Sequence, residues 1–405
     1  MMDFVTHSDH DMRTLDGVRI VEYDRIGKAR EIERIWRDLQ EHCEHEYFLS
    51  WGWISTWLAS LPQEVDVRLV VGYLQEQPAL AFFLGSGRRR KYGILPTRTL
   101  SLNTTGSRYL DLLYIEYNGV LRIPSLQFSM DDLLKVLAGR PWDEFSLAGL
   151  SAEFARQTGL LDSETTPASA GLLLEEESSA YFVDLDRVRE AKMDYLGLIS
   201  SNKRSQIRRS IKEYEKEGEV RIEAAQSAAE ALEMLSALAD LHQEEWRKRG
   251  KPGVFSNAYL LEFHRKLIAS RFEAGEIQLL KVSTPEAVIG YLYNFVYNGK
   301  VLFYQSGLSY REGNLYRPGL VSHYFAILHN ARTDMRVYDF MAGEAGYKSS
   351  LATDSVPMYW MRLVKGGLRL SAEKAALRLK ERLKDAPSLL DNLKRLRDRF
   401  SSSPR

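Results

Sequence analysis

Three short segments between residues 277 and 308 constrain the fold of this chain most strongly. Ile277–Val282, Val288–Tyr297 and Val301–Leu308 are rich in β-branched and aromatic residues, and turn signals at Pro285 and Asn298-Gly299 separate them. Connections this short join antiparallel neighbours, because a parallel pair needs a crossover of a dozen or more residues. The sequence therefore predicts an antiparallel meander, which must bury one face to be stable.

Helical patterns lie on both sides of this meander. Three predicted helices precede it, and a fourth follows it, beginning at a proline, which suits the first turn of a helix. Two further strands then close the sheet. The predicted elements are helices Lys203–Glu217, Ser227–Gly250, Asn257–Glu273 and Pro318–Arg332, and strands Val337–Met341 and Pro357–Leu363.

The first 150 residues alternate between strand and helix patterns in a similar way. Because a single core rarely grows beyond about 250–300 residues, a chain of 405 residues is predicted to form two domains. The predicted helices here are Glu31–Gln40, Trp51–Leu61 and Asp131–Ala138, and the strands are Val18–Tyr23, Val65–Tyr73, Ala79–Leu84, Asp111–Ile115 and Phe145–Ala148.

A stretch rich in Ser, Thr, Pro and Glu between residues 160 and 180 marks the domain boundary, because such a composition buries poorly. The expected class is α/β (α+β), with mixed, mainly antiparallel sheets flanked by helices in two tandem domains. The predicted regions are a disordered leader 1–16, an N-terminal domain 17–165, a linker and crossover strand 166–185, a C-terminal domain 186–365 and a basic helical tail 366–405.

The overall charge excludes a global attraction to polyanions. The 55 basic and 55 acidic side chains cancel, so nucleic acid is not an expected partner. A single cysteine excludes an internal disulfide framework and a multi-cysteine zinc site, and no metal is expected. Neither a signal-peptide pattern nor a long apolar run is found, so a cytoplasmic location is expected.

The tail from Gly366 onward is strongly basic, with eleven Lys and Arg against five Asp and Glu. A basic amphipathic end could make peripheral contact with an anionic membrane or bind a partner. A solvated terminal helix explains the same pattern, and the sequence leaves these interpretations open.

A series of short motifs runs through the second half of the chain. The motifs are Ser201-Asn202-Lys203-Arg204 with Arg208-Arg209, Leu241-His242 with Trp246 and Gly253-Val254-Phe255, Tyr304-Gln305-Ser306-Gly307, Pro318-Gly319, and Tyr338-Asp339-Phe340 with Gly343-Glu344 and Tyr347-Lys348. Together they resemble the CelD/BcsL-type acetyltransferases associated with bacterial cellulose biosynthesis. The resemblance covers about residues 20–365. It implies membership of the GNAT superfamily and a relationship to the Fem-type peptidyltransferases, which share two tandem GNAT-like domains but take aminoacyl-tRNA as donor.

The helix start at Pro318 is the expected donor site. The resemblance implies that the pyrophosphate of acetyl-CoA, or of another acyl-CoA, lies at this end, where unpaired N–H groups and the helix dipole attract anions. Gly319 and Leu320 lie here, and Arg311 or Arg317 could add charge-assisted contacts. A Pro-Gly helix start without a ligand explains the pattern as well. The segment matches the glycine-rich loop of typical GNAT enzymes only loosely, so aminoacyl-tRNA stays open as donor.

Two predicted helices carry candidate substrate contacts. Arg204 and Arg208 recur four residues apart and form a basic ridge that could bind phosphate, although a solvated helix face has the same pattern. His242 and Trp246 are also four residues apart and share one helix face. His242 could accept the proton of an attacking amine, whereas a hydrogen-bonded packing role is the structural alternative.

A strand end near residue 341 is the preferred catalytic site, because ligands commonly collect at strand ends. Four candidate side chains lie around it: Asp339, Glu344, Tyr347 and Lys348. Direct acyl transfer needs a proton acceptor, stabilisation of the oxyanion and a proton donor for the leaving thiolate. Glu344, Lys348 and Tyr304 could supply these. The Fem-type relatives imply charge stabilisation by Lys348, and a surface turn lysine is the alternative.

The expected reaction moves an acyl group, acetyl above all, from acyl-CoA to an amine or hydroxyl of a sugar or polysaccharide precursor by direct attack. The polysaccharide link comes from the resemblance. Two alternatives stay open. A Fem-like aminoacyltransferase would use charged tRNA, which the neutral net charge disfavours. A non-catalytic scaffold of an exopolysaccharide assembly system is disfavoured by the Tyr347-Lys348 pair.

Overall fold

The computed structural model describes residues 13–15, 17–91, 95–161, 170–343 and 346–367, together with residues 370, 371, 373 and 375. Strands of the first half are β1 Arg13–Leu15, β2 Val18–Asp24, β3 Asp66–Leu74, β4 Gln77–Lys91, β5 Leu95–Leu102, β6 Leu121–Arg122 and β7 Glu144–Ser151. Its helices are α1 Ala29–His42, α2 Trp51–Ser60, α3 Met130–Leu137 and α4 Ala152–Gln157.

The second half contains the predicted meander and the helices around it. Its strands are β8 Ala170–Asp184, β9 Arg221–Ala224, β10 Ile277–Ser283, β11 Val288–Tyr297, β12 Lys300–Leu308, β13 Val337–Ala342 and β14 Asp354–Lys365. Its helices are α5 Leu185–Glu190, α6 Ser201–Tyr214, α7 Ala228–Lys248, α8 Ala258–Arg271, α9 Pro318–Ala331 and α10 Gly346–Leu351.

The described strands form one continuous sheet built from two similar halves. The order β2-β3-β4-β5-β7-β14 continues as β8-β13-β12-β11-β10-β9. In each half a run of antiparallel strands ends in a parallel pair, β5 with β7 and β12 with β13. The halves exchange their last strands, since β8 pairs with β13 and β14 pairs with β7. The predicted α/β class with a mixed, mainly antiparallel sheet flanked by helices is confirmed.

One hydrophobic core crosses from half to half. Helices α1, α2, α7 and α8 contribute to the same buried cluster, and the rings of Trp53 and Phe263 lie 4.9 Å apart. A second cluster contains α3 and α4 of the first half, and a third contains α5, α6 and α9 of the second half. Burial of this large apolar area links the two halves.

Some sequence expectations need correction or lie outside the described residues. The strand predicted at Asp111–Ile115 is instead a 3-10 turn, Asp111–Leu113, because the Asp111 carboxylate accepts hydrogen bonds from Thr105 N and Oγ1 at 2.8 Å and favours a local turn. The predicted leader 1–16 lies outside the described residues except at Arg13–Leu15. These three residues pair with β2 and are not the disordered segment that the sequence predicts.

Most of the basic tail lies outside the described residues. Glu373 is described and is buried, and its carboxylate pairs with Lys91 at 2.7 Å and Arg362 at 3.3 Å. Within the described ranges, no helix combines the length and the apolar composition that a bilayer crossing requires.

A buried ionic cluster holds the exchanged strands together. The fully buried Glu144 of β7 accepts from Lys91 at 2.8 Å and Arg89 at 2.5 Å, and lies 2.9 Å from the buried Arg362 of β14. Arg362 also donates to Glu175 of β8 at 2.8 Å. Burial alone would raise the pKa of Glu144, but these cations hold it below its usual value.

Replacing Glu144 by Gln should destabilise the chain by about 3 kcal/mol, because it leaves a buried guanidinium with less compensating charge. Denaturant unfolding measures this. Glu175→Gln is the matched control: it removes a half-exposed partner of the same Arg362 and should cost under about 1 kcal/mol. Because the pKa of Glu144 is lowered, its stabilisation is present at neutral pH and disappears as pH falls through that lowered pKa. Equal losses in the two variants would contradict the account.

Candidate functional site

The cleft between β12 and β13 is the centre of the candidate site. The two parallel strands pair only over Lys300–Leu302 and Val337–Asp339, and the ladder between them ends there. Tyr304 has no partner on β11, since Tyr293 pairs with Gln305 and the next residue pairs with Phe303. The bulge lies on the β11 edge of β12, whereas on the cleft edge the backbone of β12 beyond Leu302 has no strand partner because the ladder with β13 has ended.

Helix α9 begins at this cleft without a cap. Pro318 occupies its first turn, and Arg317 makes no side-chain capping hydrogen bond. The N–H groups of Gly319 and Leu320 therefore lack acceptors within the helix. A side chain added at Gly319 would meet only a methyl of Leu308, at 3.3 Å, so the backbone is open to a ligand. Such an end attracts anions.

The start of the corresponding helix of the first half, α3, is capped by side chains of the chain itself. Ser129 accepts from Asp132 N, and the Asp132 carboxylate accepts from Ser129 N at 3.0 Å, which is a complete capping box. The Asp132 carboxylate therefore supplies the negative charge at the start of α3. The space beside β4 is also filled, because a Cβ at Gly85 would lie 2.0 Å from the carbonyl oxygen of Thr104. A carboxylate of the chain therefore occupies the start of α3, whereas the start of α9 is open to an anion.

A cavity of about 590 Å³ opens at the start of α9. This volume lies in the range of small-molecule sites. Its walls come from α7, β12, the loop before α9, α9 itself and α10. The lining residues are Leu241, His242, Glu245, Trp246, Arg249, Gln305, Ser306, Leu308, Tyr310, Tyr316, Arg317, Pro318, Gly319, Leu320, His323 and Tyr347.

Six residues that the sequence singled out line this one cavity. They come from three separate segments and are His242, Trp246, Arg317, Gly319, Leu320 and Tyr347. The rings of His242 and Trp246 lie 5.8 Å apart, as expected for positions four apart on a helix. The structure therefore brings together three of the four donor candidates, two substrate candidates and the catalytic candidate His242, while their chemical roles stay predictions.

His242 is buried against aromatic rings in the cavity wall. Its ring packs edge-on against Phe255 at 5.1 Å, and Nδ1 lies 3.4 Å from the Gln243 amide oxygen. Burial lowers the pKa of His242 below its ordinary value, and the Arg249 charge adds to that effect. An imidazole of lowered pKa is unprotonated at neutral pH and can accept a proton.

Tyr347 keeps its proton, whereas His242 stays unprotonated. Its ring stacks on His323 at 5.6 Å, and burial raises the pKa of the Tyr347 hydroxyl. Burial lowers the pKa of His323 to about 3, so no positive charge lies under the stacked ring. A phenol of raised pKa keeps its proton at neutral pH and can donate a hydrogen bond.

The other basic candidates lie elsewhere. The Arg311 guanidinium pairs with Glu217 and lies over the rings of Tyr214 and Tyr316 at 5.5 and 5.2 Å. Arg204 donates to the carbonyl oxygens of Gly197 and Ile199 at 3.4 and 3.3 Å, and Arg208 is exposed on α6. These arginines do not line the described cavity.

Arg311→Ala should therefore change the affinity for acetyl-CoA by less than twofold, because the guanidinium is already committed to Glu217 and two aromatic rings. Isothermal titration calorimetry of the variant and the wild type measures the difference. A tenfold loss would mean that Arg311 leaves Glu217 for the donor.

Tyr304 and Lys348 face the contact between the halves instead of the cavity. Tyr304 Oη donates to Leu113 O at 3.0 Å and lies 3.1 Å from His264 Nε2. Lys348 Nζ donates to the carbonyl oxygens of Met341 and Ala342 at 3.3 and 2.5 Å. Burial lowers the pKa of Lys348. Glu344 lies outside the described residues.

Asp339 lies in a buried acidic group that also contains Glu116. Its Oδ2 accepts from Tyr117 Oη at 2.5 Å, and its Oδ1 accepts from Met341 N at 2.6 Å. Burial raises the pKa of Asp339 to about 6 and that of Glu116 to about 7. Sequence reasoning missed Glu116, because nothing in its own segment indicates that it reaches β13.

Sequence reasoning also missed several lining residues. Glu245 lies three positions after His242 and shares its helix face, so the helical period could have indicated it. Gln305 and Ser306 belong to a quoted motif but received no role. Tyr310 and His323 carried no local signal. Among the described residues, no group of three His, Cys, Asp or Glu is placed to hold a metal.

Comparisons with known proteins bear on this site. Residues 201–349 match the family model described as Acetyltransferase (GNAT) domain. No curated protein sequence matches the chain. The match covers α6 to α10 and hence the cavity.

Solved structures resemble nearly the whole chain at low identity. FemX is 9% identical with a TM-score of 0.52, covering 84% of this chain and 96% of its own. L-PGS from Bacillus licheniformis is 10% identical with a TM-score of 0.48, covering 83% and 93%. A tandem GNAT protein from the clavulanic acid biosynthesis pathway is 10% identical with a TM-score of 0.45, covering 86% and 99%. At such identities the FemX likeness concerns the fold.

Proposed function

We propose that this chain, an acyltransferase of the GNAT superfamily, moves an acyl group, acetyl above all, from acyl-CoA to an amine or hydroxyl of a sugar or polysaccharide precursor. One observation carries the proposal: the uncapped start of α9 opens into the cavity of about 590 Å³. GNAT folds generally use acyl-CoA, and the two free N–H groups suit its pyrophosphate.

The donor is held by residues of α9 and the loop before it. The N–H groups of Gly319 and Leu320 bind the pyrophosphate, and the Arg317 side chain adds charge. The pKa of Lys203 is lowered by burial and by the nearby Arg317, which puts a second cation close to this helix start. The local charge is therefore favourable although the chain as a whole is neutral.

The transfer itself needs three groups around the thioester. His242 accepts the proton of the attacking amine or hydroxyl as the new C–N or C–O bond forms. The backbone of β12 beyond Leu302, where the ladder with β13 has ended, donates to the oxyanion. As the C–S bond breaks, the Tyr347 hydroxyl keeps its proton and donates a hydrogen bond to the thiolate, which takes a proton from solvent while His242 releases the one it accepted. The roles of His242 and Tyr347 rest on their positions in the cavity wall and on the directions of their pKa shifts.

The roles first predicted for Lys348 and Tyr304 change in this proposal. Lys348 binds two backbone carbonyl oxygens, so it orders the end of β13 and does not face the thioester. The Tyr304 hydroxyl is committed to Leu113 O, so only its backbone contributes. Glu344, outside the described residues, stays a predicted base.

The acceptor side of the cavity is aromatic. Trp246 and the half-exposed Tyr310 supply flat apolar surfaces, and Glu245 adds a carboxylate that also pairs with Arg249 at 2.7 Å. A sugar ring presents both C–H faces and hydroxyls and suits such a wall. The link to polysaccharide and contact of the basic tail with a membrane stay predictions.

A free-thiol assay tests the proposal. The full chain is incubated with acetyl-CoA and an amino sugar, a hydroxyl-only sugar or buffer, and the CoA thiol and acetylated sugar are quantified. Equal amounts of both products with a sugar acceptor are expected. Thiol release with other amines but with no sugar would refute the sugar acceptor. Consumption of aminoacyl-tRNA without any turnover of acetyl-CoA would show that aminoacyl-tRNA is the donor.

A further inference from the structure

A loop of the first half, residues 103–120, reaches the second half at three places; we call it the bridging loop. Tyr109 O accepts from Asn257 Nδ2 of the segment that caps α8, at 2.9 Å. Leu113 O accepts from Tyr304 Oη of β12 at 3.0 Å. The third contact is with β13, through Glu116 and Tyr117. The matched acetyltransferase domain begins at residue 201, so this loop lies outside it.

The contact with β13 is a clamp on one stretch of backbone. Glu116 Oε2 accepts from Ala342 N at 2.7 Å. Lys348 Nζ donates to Ala342 O at 2.5 Å and Met341 O at 3.3 Å. An acid from the first half and a lysine from α10 thus bind the two ends of the same residue.

The backbone at this clamp is strained. Met341 has φ of 60°, and Gly343 has φ of 128°. A methionine in the left-handed region costs free energy and persists only where surrounding bonds hold it. Asp339 Oδ1 accepts from Met341 N, and Tyr117 fixes Asp339 from the bridging loop. The bridging loop itself contains Tyr114 and Tyr117 with φ of 46° and 52°.

The clamped backbone leads into α10, which carries Tyr347 to the donor cavity. Gly343 N donates to Ser178 Oγ at 3.1 Å, and α10 begins at Gly346. Tyr347 then stacks on His323 and lines the cavity. Lys348, the neighbour of Tyr347 on α10, is bonded to Met341 O and Ala342 O, so the position of this backbone bears on where Tyr347 lies.

We propose that Glu116 is a positioning residue through which the first half holds Tyr347 at the donor cavity. The inference rests on the proposed function, since it takes this cavity as the acyl-CoA site. It gives the first half, whose own helix start is closed by Asp132, a role in the reaction. Glu116 does not itself touch substrate, because it acts through Ala342 and α10.

Hydrogen–deuterium exchange of the full, ligand-free chain tests the clamp directly. Glu116→Ala should speed exchange across residues 341–351 at least tenfold, because Ala342 N loses its acceptor. Glu116→Gln keeps an acceptor oxygen and should stay within threefold of the wild type. Tyr114→Asn, an exposed change in the same bridging loop, is the matched control and should leave these amides unaltered. Unchanged exchange in Glu116→Ala, or equal loss in Gln and Ala, overturns the proposal.

Calorimetry with acetyl-CoA tests the consequence for the cavity. Glu116→Ala should raise the Kd at least tenfold at an unchanged stoichiometry of one, which a merely misfolded fraction would not do. Lys348→Met should act similarly, and the double variant should lose little more, because both residues hold Ala342. A wild-type Kd retained in Glu116→Ala overturns the positioning role. If the wild type itself binds no acetyl-CoA, the proposed function fails, and the exchange result alone decides the role of Glu116.

Discussion

Gly319→Asp should weaken acetyl-CoA binding at least a hundredfold, which corresponds to about 2.7 kcal/mol. The substitution places a carboxylate at the free N–H groups of α9, where the pyrophosphate is proposed to bind, and it fills the open space there. An acidic residue in the first helical turn favours the helix, so folding should be preserved. Calorimetry gives the affinity, and thermal unfolding confirms the fold.

Gly319→Ala separates charge from size. Its Cβ would meet one methyl of Leu308 at 3.3 Å, which can move by a few tenths of an ångström. The alanine variant should bind acetyl-CoA within about threefold of the wild type, a minor loss beside the hundredfold effect of the acid. Equal affinities in the aspartate variant and the wild type would place the pyrophosphate elsewhere.

His242→Gln should lower kcat about a thousandfold and leave the Kd for acetyl-CoA unchanged. General base catalysis contributes about 10²–10⁴-fold, and glutamine can accept a hydrogen bond but cannot take the proton. The side chains are similar in size, so the packing against Trp246 and Phe255 is kept. Steady-state kinetics with a saturating acceptor measure the loss.

The pH profile distinguishes a base from a packing residue. Burial lowers the pKa of His242, so the imidazole stays unprotonated at pH values below the ordinary histidine pKa. The wild-type rate should therefore stay constant until the pH falls through the lowered pKa. The residual rate of His242→Gln should lack this acid limb. A variant with unchanged kcat and an intact acid limb would assign the proton to another group, such as Glu245 or Glu344.

Local patterns were sufficient to predict most of the second half. The meander, the helix at Pro318 and the shared face of His242 and Trp246 depend on turn chemistry and on the 3.6-residue period, which act over a few positions. Gly319 and Leu320 followed from the same helix start. The predicted domain boundaries were not tested by these features and stay predictions.

Contacts between distant segments could not be predicted in this way. The exchange of β8 and β14 joins residues that lie far apart in the chain, and no periodic pattern encodes it. Glu116 accepts a hydrogen bond from Ala342, which lies 226 positions later in the chain. Arg311 satisfied the rule that a basic side chain near a helix start binds anions, but Glu217 occupies its guanidinium. Tertiary partners decided these cases.

The two halves share a strand order but differ at the helix that follows the antiparallel run. In α3 the capping box of Ser129 and Asp132 supplies the negative charge, whereas α9 leaves its first N–H groups free. The bridging loop of the first half contacts the half that holds the cavity, which agrees with the proposed positioning role of Glu116. The proposed function therefore predicts one acyl-CoA site, at the start of α9.

The most direct test of the central claim is a calorimetric titration of the full wild-type chain with acetyl-CoA. We expect saturable binding with one site per chain, because among the described helices α9 joins an uncapped start to a cavity, while its counterpart α3 is capped. Absence of binding would contradict the acyl-CoA assignment. Two equal sites would contradict the claim that the capped start of α3 keeps the first half from binding acetyl-CoA.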